Sequence, residues 1–111
     1  MTFDLQWSAI GMPDGLQEPQ LLELSGTINF DNAAAICQRG EELILDRKPD
    51  SLLVDIGKVD SANSALFSIL LRWMQLAGSH SMQFGVRGVS SRLMDVARVS
   101  GLETVIPLEN G

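Results

Sequence analysis
From residue 3 to residue 10 apolar and polar positions alternate: Phe3, Leu5, Trp7 and Ala9 lie on one side of an extended strand, Asp4, Gln6 and Ser8 on the other. Gly11-Met12-Pro13-Asp14-Gly15 is a turn cluster. The alternation resumes with Leu22, Leu24 and Gly26 inward and Glu23 and Ser25 outward, so the first two strands are predicted to form a hairpin. The period then lengthens. Ala33, Ile36, Cys37, Gly40, Leu43 and Ile44 recur at three and four, the mark of a helix with one apolar face, capped by Asp31 or Asn32 and stopped by Pro49-Asp50. Gly40 on the inner face is read as allowing close approach to the sheet.

Residues 51–56 are a short, nearly continuous apolar run, predicted to be a central strand covered on both faces. A polar loop follows, and a second helix is predicted from Ser64 to Ala77, closed at Gly78. Met82, Phe84 and Val86 alternate in a fourth strand. Ser90 or Ser91 caps a third helix with Leu93, Met94, Ala97 and Val99 inward and Gly101 at its end, and Thr104-Val105-Ile106 is predicted to be the last strand. The predicted class is α/β in the order β-β-α-β-α-β-α-β, a mostly parallel sheet after an N-terminal hairpin, in one domain over residues 1–111.

The second helix is unusual in its wheel. Ser64, Ser68, Arg72 and Gln75 fall on one stripe narrower than ~90°, and every other residue is apolar. That is more apolar surface than one sheet requires. Either the flanking helices bury it, or Phe67 and Leu71, which border the stripe, are exposed as a protein-binding rim. Ser64 stands where a strand and loop give way to this helix, where backbone N–H groups lack partners. Ser64 and Ser61 there either cap the helix or offer a hydroxyl to something outside.

Charge narrows the partners. The chain has 111 residues and a net charge of −6. In the first 46 residues Arg39 alone opposes Asp4, Asp14, Glu18, Glu23, Asp31, Glu41, Glu42 and Asp46. This argues against nucleic acid and anionic lipid headgroups, and an acidic half can steer a basic protein partner. No apolar run reaches the ~18 residues that span a bilayer, and residues 1–20 lack a basic leader, so a cytoplasmic protein without membrane insertion is expected. Catalytic constellations do not emerge. The lone Cys37 is read as core packing, and with the lone His80 it leaves too few ligands for zinc. A Ser64–His80 pair would be split by the length of the second helix, roughly 20 Å. No catalytic residue, metal or cofactor is expected.

Residues 55–73 carry a family resemblance. Asp55 ends an apolar strand, Val59 follows four residues later, Asn63-Ser64-Ala65 comes next, and Ile69-Leu70-Leu71-Arg72-Trp73 closes the apolar helix. Gly26-Thr27-Ile28-Asn29-Phe30, Gly40-Glu41-Glu42-Leu43, Ser90-Ser91-Arg92-Leu93 and Ser100-Gly101-Leu102 extend the likeness over nearly the whole chain. The chain resembles STAS domains, and among them the MlaB-type cytoplasmic subunits of the Mla phospholipid transporter. Asn63 replaces the acidic residue of the family motif, and Leu66 its glycine. Asp60-Ser61-Ala62 also reads as the motif, but needs three extra residues before Trp73.

The resemblance implies a STAS fold with the helices on one side of the sheet and a non-catalytic binding module. Its partner would be the MlaF-like ATPase subunit of an ABC-type phospholipid transporter that maintains outer-membrane lipid asymmetry, at the inner membrane. Ser64 would sit at the interface centre, with Ser61, Asn63 and Ala65 on the loop and Phe67, Ser68, Leu71 and Arg72 extending it along the helix. The alternative is an anti-sigma factor antagonist whose partner is an anti-sigma factor kinase and whose phosphoacceptor is Ser64.

Overall fold
The structure, a computed structural model, describes residues 3–8, 20–60 and 64–110. Its elements are β1 (Phe3–Ser8), β2 (Gln20–Gly26), α1 (Ala33–Arg47), β3 (Ser51–Val59), α2 (Ser64–Ser79), β4 (Gln83–Val89), α3 (Ser91–Val99) and β5 (Leu108–Asn110). They form one five-stranded sheet in the order β1-β2-β3-β4-β5. The β1–β2 pair is antiparallel and the other three pairs are parallel. Each crossover steps to the next strand in the same direction, and crossovers of one hand then place their helices on the same face.

Alternation along the strands decides what each face carries. Leu22, Val54 and Val86 are aligned across β2, β3 and β4, and all three are fully buried beneath the helices. Glu23, Asp55 and Arg87 are aligned on the opposite face. There Arg87 Nε pairs with Asp55 at 3.3 Å and Lys58 Nζ with Glu23 at 3.4 Å. The central strand is therefore not dry on both sides: Leu52, Val54 and Ile56 are buried, while Ser51, Leu53 and Asp55 are half-buried. Register slips between Glu23 and Ser25, which pair with Asp55 and Lys58, so β3 carries an extra residue at Ile56–Gly57. Asp55 Oδ1 accepts the Gly57 N–H at 2.8 Å and satisfies the amide that the bulge displaces.

The core also corrects several sequence expectations. Gly40 faces α2 rather than the sheet: a Cβ there would fall inside the Trp73 indole, whose Nε1 donates to the Cys37 carbonyl at 3.1 Å. α2 continues through Gly78. It ends in a Schellman arrangement with Ser81 left-handed at φ 59°, Met82 N–H donating to the Ala77 carbonyl and Ser81 N–H to that of Gly78. Val99 is 91% exposed, because it lies half a turn away from the Leu93–Ala97 stripe that packs inward. Residues 104–106 are not a strand. They form a turn that closes on Leu102, with Val105 and Ile106 both donating to the Leu102 carbonyl, and Ile106 fills the core from it. The strand comes after Pro107, whose carbonyl accepts the Val86 N–H at 2.9 Å.

Candidate functional site at the helix entrances
Parallel strands deliver their carboxyl ends to one end of the sheet, and α1, α2 and α3 all begin there. Gly26 pairs with Val59, and the Asp60 N–H donates to the Gly26 carbonyl at 2.9 Å, so the ends of β2 and β3 lie side by side. At α3, Ser90 caps the helix through its hydroxyl, which accepts the Leu93 N–H at 3.1 Å. A cleft of about 300 Å³ opens between the ends of β3 and β4, with Asp60, Ser90 and Arg92 in its lining.

Ser64 is the first residue of α2 and is exposed. Its carbonyl accepts the Ser68 hydroxyl at 3.4 Å, while its own hydroxyl has no hydrogen-bond partner among the described residues. Ser61 and Asn63 lie outside the described residues. Ser64, Ser68, Arg72 and Gln75 form the solvent-facing stripe of α2, and Arg72 Nε reaches across to Glu41 on α1 at 3.2 Å. The apolar flank of the stripe does not form an exposed rim. Phe67 is 2% exposed and belongs to the core, Leu71 is half-buried against it, and the Ala65 side chain is buried. The surplus apolar surface of α2 is consumed because α1 packs on it through the Gly40–Trp73 seam while the sheet takes another side. Neither Phe67 nor Ala65 therefore offers side-chain surface to a partner.

The titratable groups are dispersed. His80 follows the far end of α2, and a 16-residue helix at ~1.5 Å per residue separates it from Ser64 by about 24 Å. Burial, with Glu41 adding to it, pushes the Cys37 thiol up, which keeps it protonated and poorly nucleophilic. Asp55 is occupied by the Gly57 amide and Arg87. Among the described residues no group of three or more His, Cys, Asp or Glu side chains is placed to hold a metal ion. No helix among them is long and apolar enough to cross a membrane.

One residue at this end was missed by the periodicity. Phe30, in the loop between β2 and α1, is 74% exposed. Read by hydropathy it extends the apolar strand before it. The signal that marks it is the pair Asn29 and Asn32, whose side chains fold the intervening backbone into a turn around it.

Comparison with known proteins gives a family match and a fold match. The family model described as "Mlab, STAS domain" matches residues 13–108. No curated protein matches the sequence significantly. An anti-sigma factor antagonist from Mycobacterium paratuberculosis superposes with a TM-score of 0.74 at 21% identity, over 96% of this chain and 85% of that one. The anti-sigma factor antagonist SpoIIAA in its unphosphorylated form gives 0.71 at 13% identity, over 97% and 88%. The protein TM1081 gives 0.72 at 12% identity, over 94% and 78%. At these identities the structures establish a shared fold, the α/β arrangement of three helices on a five-stranded, mostly parallel sheet.

Proposed function
The chain belongs to the Mlab-type STAS family, whose domains are protein-interaction modules, and from that premise we propose that it is a cytoplasmic, single-domain subunit docking on the ATPase of an ABC-type phospholipid transporter. Its role would be to favour the ATPase's assembled state by binding that state more tightly, in a system that maintains outer-membrane lipid asymmetry. The observation that carries this reading is the family match over residues 13–108 under that description. The geometry supports the place of contact: an exposed Ser64 hydroxyl, unengaged among the described residues, at the head of the only polar stripe of α2. Ser61 and Asn63 would lie beside it, and Ser68 and Arg72 would prolong the contact. A partner covering the three helix entrances would bury about 800 Å², an ordinary interface.

Ser64→Arg tests the reading. A long cation at the centre of a packed interface is expected to abolish co-purification with the ATPase subunit. The thermal midpoint should stay near wild type, because Ser64 is exposed. Undiminished co-purification would sink the assignment.

A second reading has its own support in the fold shared with anti-sigma factor antagonists. In it, phosphorylation of Ser64 would place a charge of about −2 on the docking face. Asn63, where the family motif carries an acid, favours an unmodified serine. A phosphopeptide containing Ser64 from the native host, with binding lost in Ser64→Glu and kept in Ser64→Ala, would establish the second reading instead.

A further inference from the structure
The loop between β2 and α1 is built to hold an aromatic ring in solvent. Asn29 Oδ1 accepts the N–H groups of Asp31 at 2.9 Å and Asn32 at 3.0 Å. Asn32 Oδ1 accepts the Asn29 N–H at 2.9 Å, and its Nδ2 donates to the Thr27 carbonyl at 2.8 Å. Ile28 is fully buried and pins the same loop to the core. Phe30 stands on this anchored backbone, 74% exposed, and is the one strongly exposed aromatic among the described residues. A side chain displayed on a fixed backbone has already lost much of the entropy that binding would otherwise cost. Aromatic side chains are also the commonest energetic anchors of protein interfaces.

The place and the charge indicate the partner. The Phe30 loop leaves the sheet beside the end of β3, because Gly26 pairs with Val59 and accepts the Asp60 N–H. Asp31 adjoins Phe30, and Asp60 lies on the way to Ser64. Neither carboxylate has an ion pair among the described residues, which is also true of Asp4, Asp46, Asp50 and Glu109, so it is the position of these two beside Phe30 and on the way to Ser64 that gives them a part in recognition. The geometry points to Phe30 as the anchor of the interface that contains Ser64, seated in an apolar pocket of the ATPase subunit rimmed by lysine or arginine. This inference rests on the ATPase reading and adds to it a second, chemically different contact.

The test uses the full chain. p-Benzoylphenylalanine is placed at position 30 or at position 64 in the native host, and the photo-crosslinked protein is identified by mass spectrometry. Crosslinks from both positions to the ATPase subunit are expected. A crosslink from position 64 but not 30 overturns the anchor and leaves the ATPase reading standing. A crosslink from position 30 but not 64 keeps the anchor and removes Ser64 from the interface. Crosslinks from both positions to a kinase or to a second copy of this chain overturn both proposals, as does the absence of any crosslink. With purified ATPase subunit, Phe30→Ala is expected to weaken binding about 30-fold, the loss typical of an anchor aromatic, at an unchanged thermal midpoint. A loss under threefold overturns the proposal. Asp31→Asn should instead weaken association a few-fold at low salt and not at high salt.

Discussion
The two faces of the sheet are written by the same strands one residue out of step, yet they do different work. The covered face is closed by α1, α2 and α3, and its core side chains are apolar from β2 to β4. The other face pairs Glu23 with Lys58 and Asp55 with Arg87, and Asp55, Lys58 and Arg87 line a groove of about 520 Å³ together with Leu53 and Glu109. The first face excludes water and is stabilised by apolar area and close packing. The second keeps its ions within reach of solvent, where a salt bridge adds little. A neighbour in sequence is thus a poor guide to consequence in this chain, and the next residue but one is a good guide.

That contrast can be broken most sharply at Leu52 and Leu53, adjacent leucines that point to opposite faces. Leu52→Ala empties a site 1% exposed and should cost about 2–5 kcal/mol. Leu53→Ala, on the half-buried side, should cost well under half as much, and paired urea titrations read both. Equal losses would mean that the free face is as dry as the covered one.

A smaller effect is expected at Gly40, where the covered side sets the spacing between two helices. Gly40→Ala gains about 1 kcal/mol of helix propensity but drives a methyl into the Trp73 ring, an overpacking cost of about 1–3 kcal/mol. Net destabilisation, with Ser64-dependent binding unaffected, is the expected result in calorimetry and pull-down. A stabilised Gly40→Ala variant would show that the indole can yield.

The smallest effect belongs to the free face and depends on pH. The Ser8 hydroxyl above all, then Lys58 and Arg87, hold the Glu23 carboxyl below its ordinary 4.5, with burial working the other way. A carboxylate depressed in the folded state stabilises above its unfolded pKa and loses that contribution as pH falls through the folded value. The thermal midpoint of wild type should therefore exceed that of Glu23→Gln at pH 7, and the difference should shrink once pH drops below about 4.5. A difference independent of pH from 7 to 3 would place the stabilising contact elsewhere.

Much of this architecture was legible in the period of the chain, because burial on one face imposes a period of two on strands and of three to four on helices. The hairpin, the three helices and the polar stripe from Ser64 to Gln75 follow from it. The misses share a physical cause: they depend on partners remote in sequence. Gly40 could not declare Trp73, 33 positions away, as the ring it admits. Thr104-Val105-Ile106 has the composition of a strand, but α3 ends in a Schellman turn at Gly101 that carries those residues back over the core. At the candidate site, Ser64 was visible from its strand-loop-helix context. The exposure of Phe30 was not, and the wheel left the burial of Phe67 as one of two alternatives, since hydropathy treats the two phenylalanines alike and only the packing of α1 on α2 and the Asn29–Asn32 turn tell them apart.

The seam between α1 and α2 also supplies an optical reporter. The chain has two tryptophans and no tyrosine. Trp73 is wholly enclosed against Gly40, while Trp7, half-buried on the edge strand, has the Arg47 guanidinium 4.6 Å above its ring. Indole emission moves to longer wavelength as water reaches the ring, so the two should emit as distinguishable blue and red components of one spectrum. Loss of the blue component would time the parting of the helices, and quenching of the red one by iodide would follow the hairpin edge, in unlabelled protein.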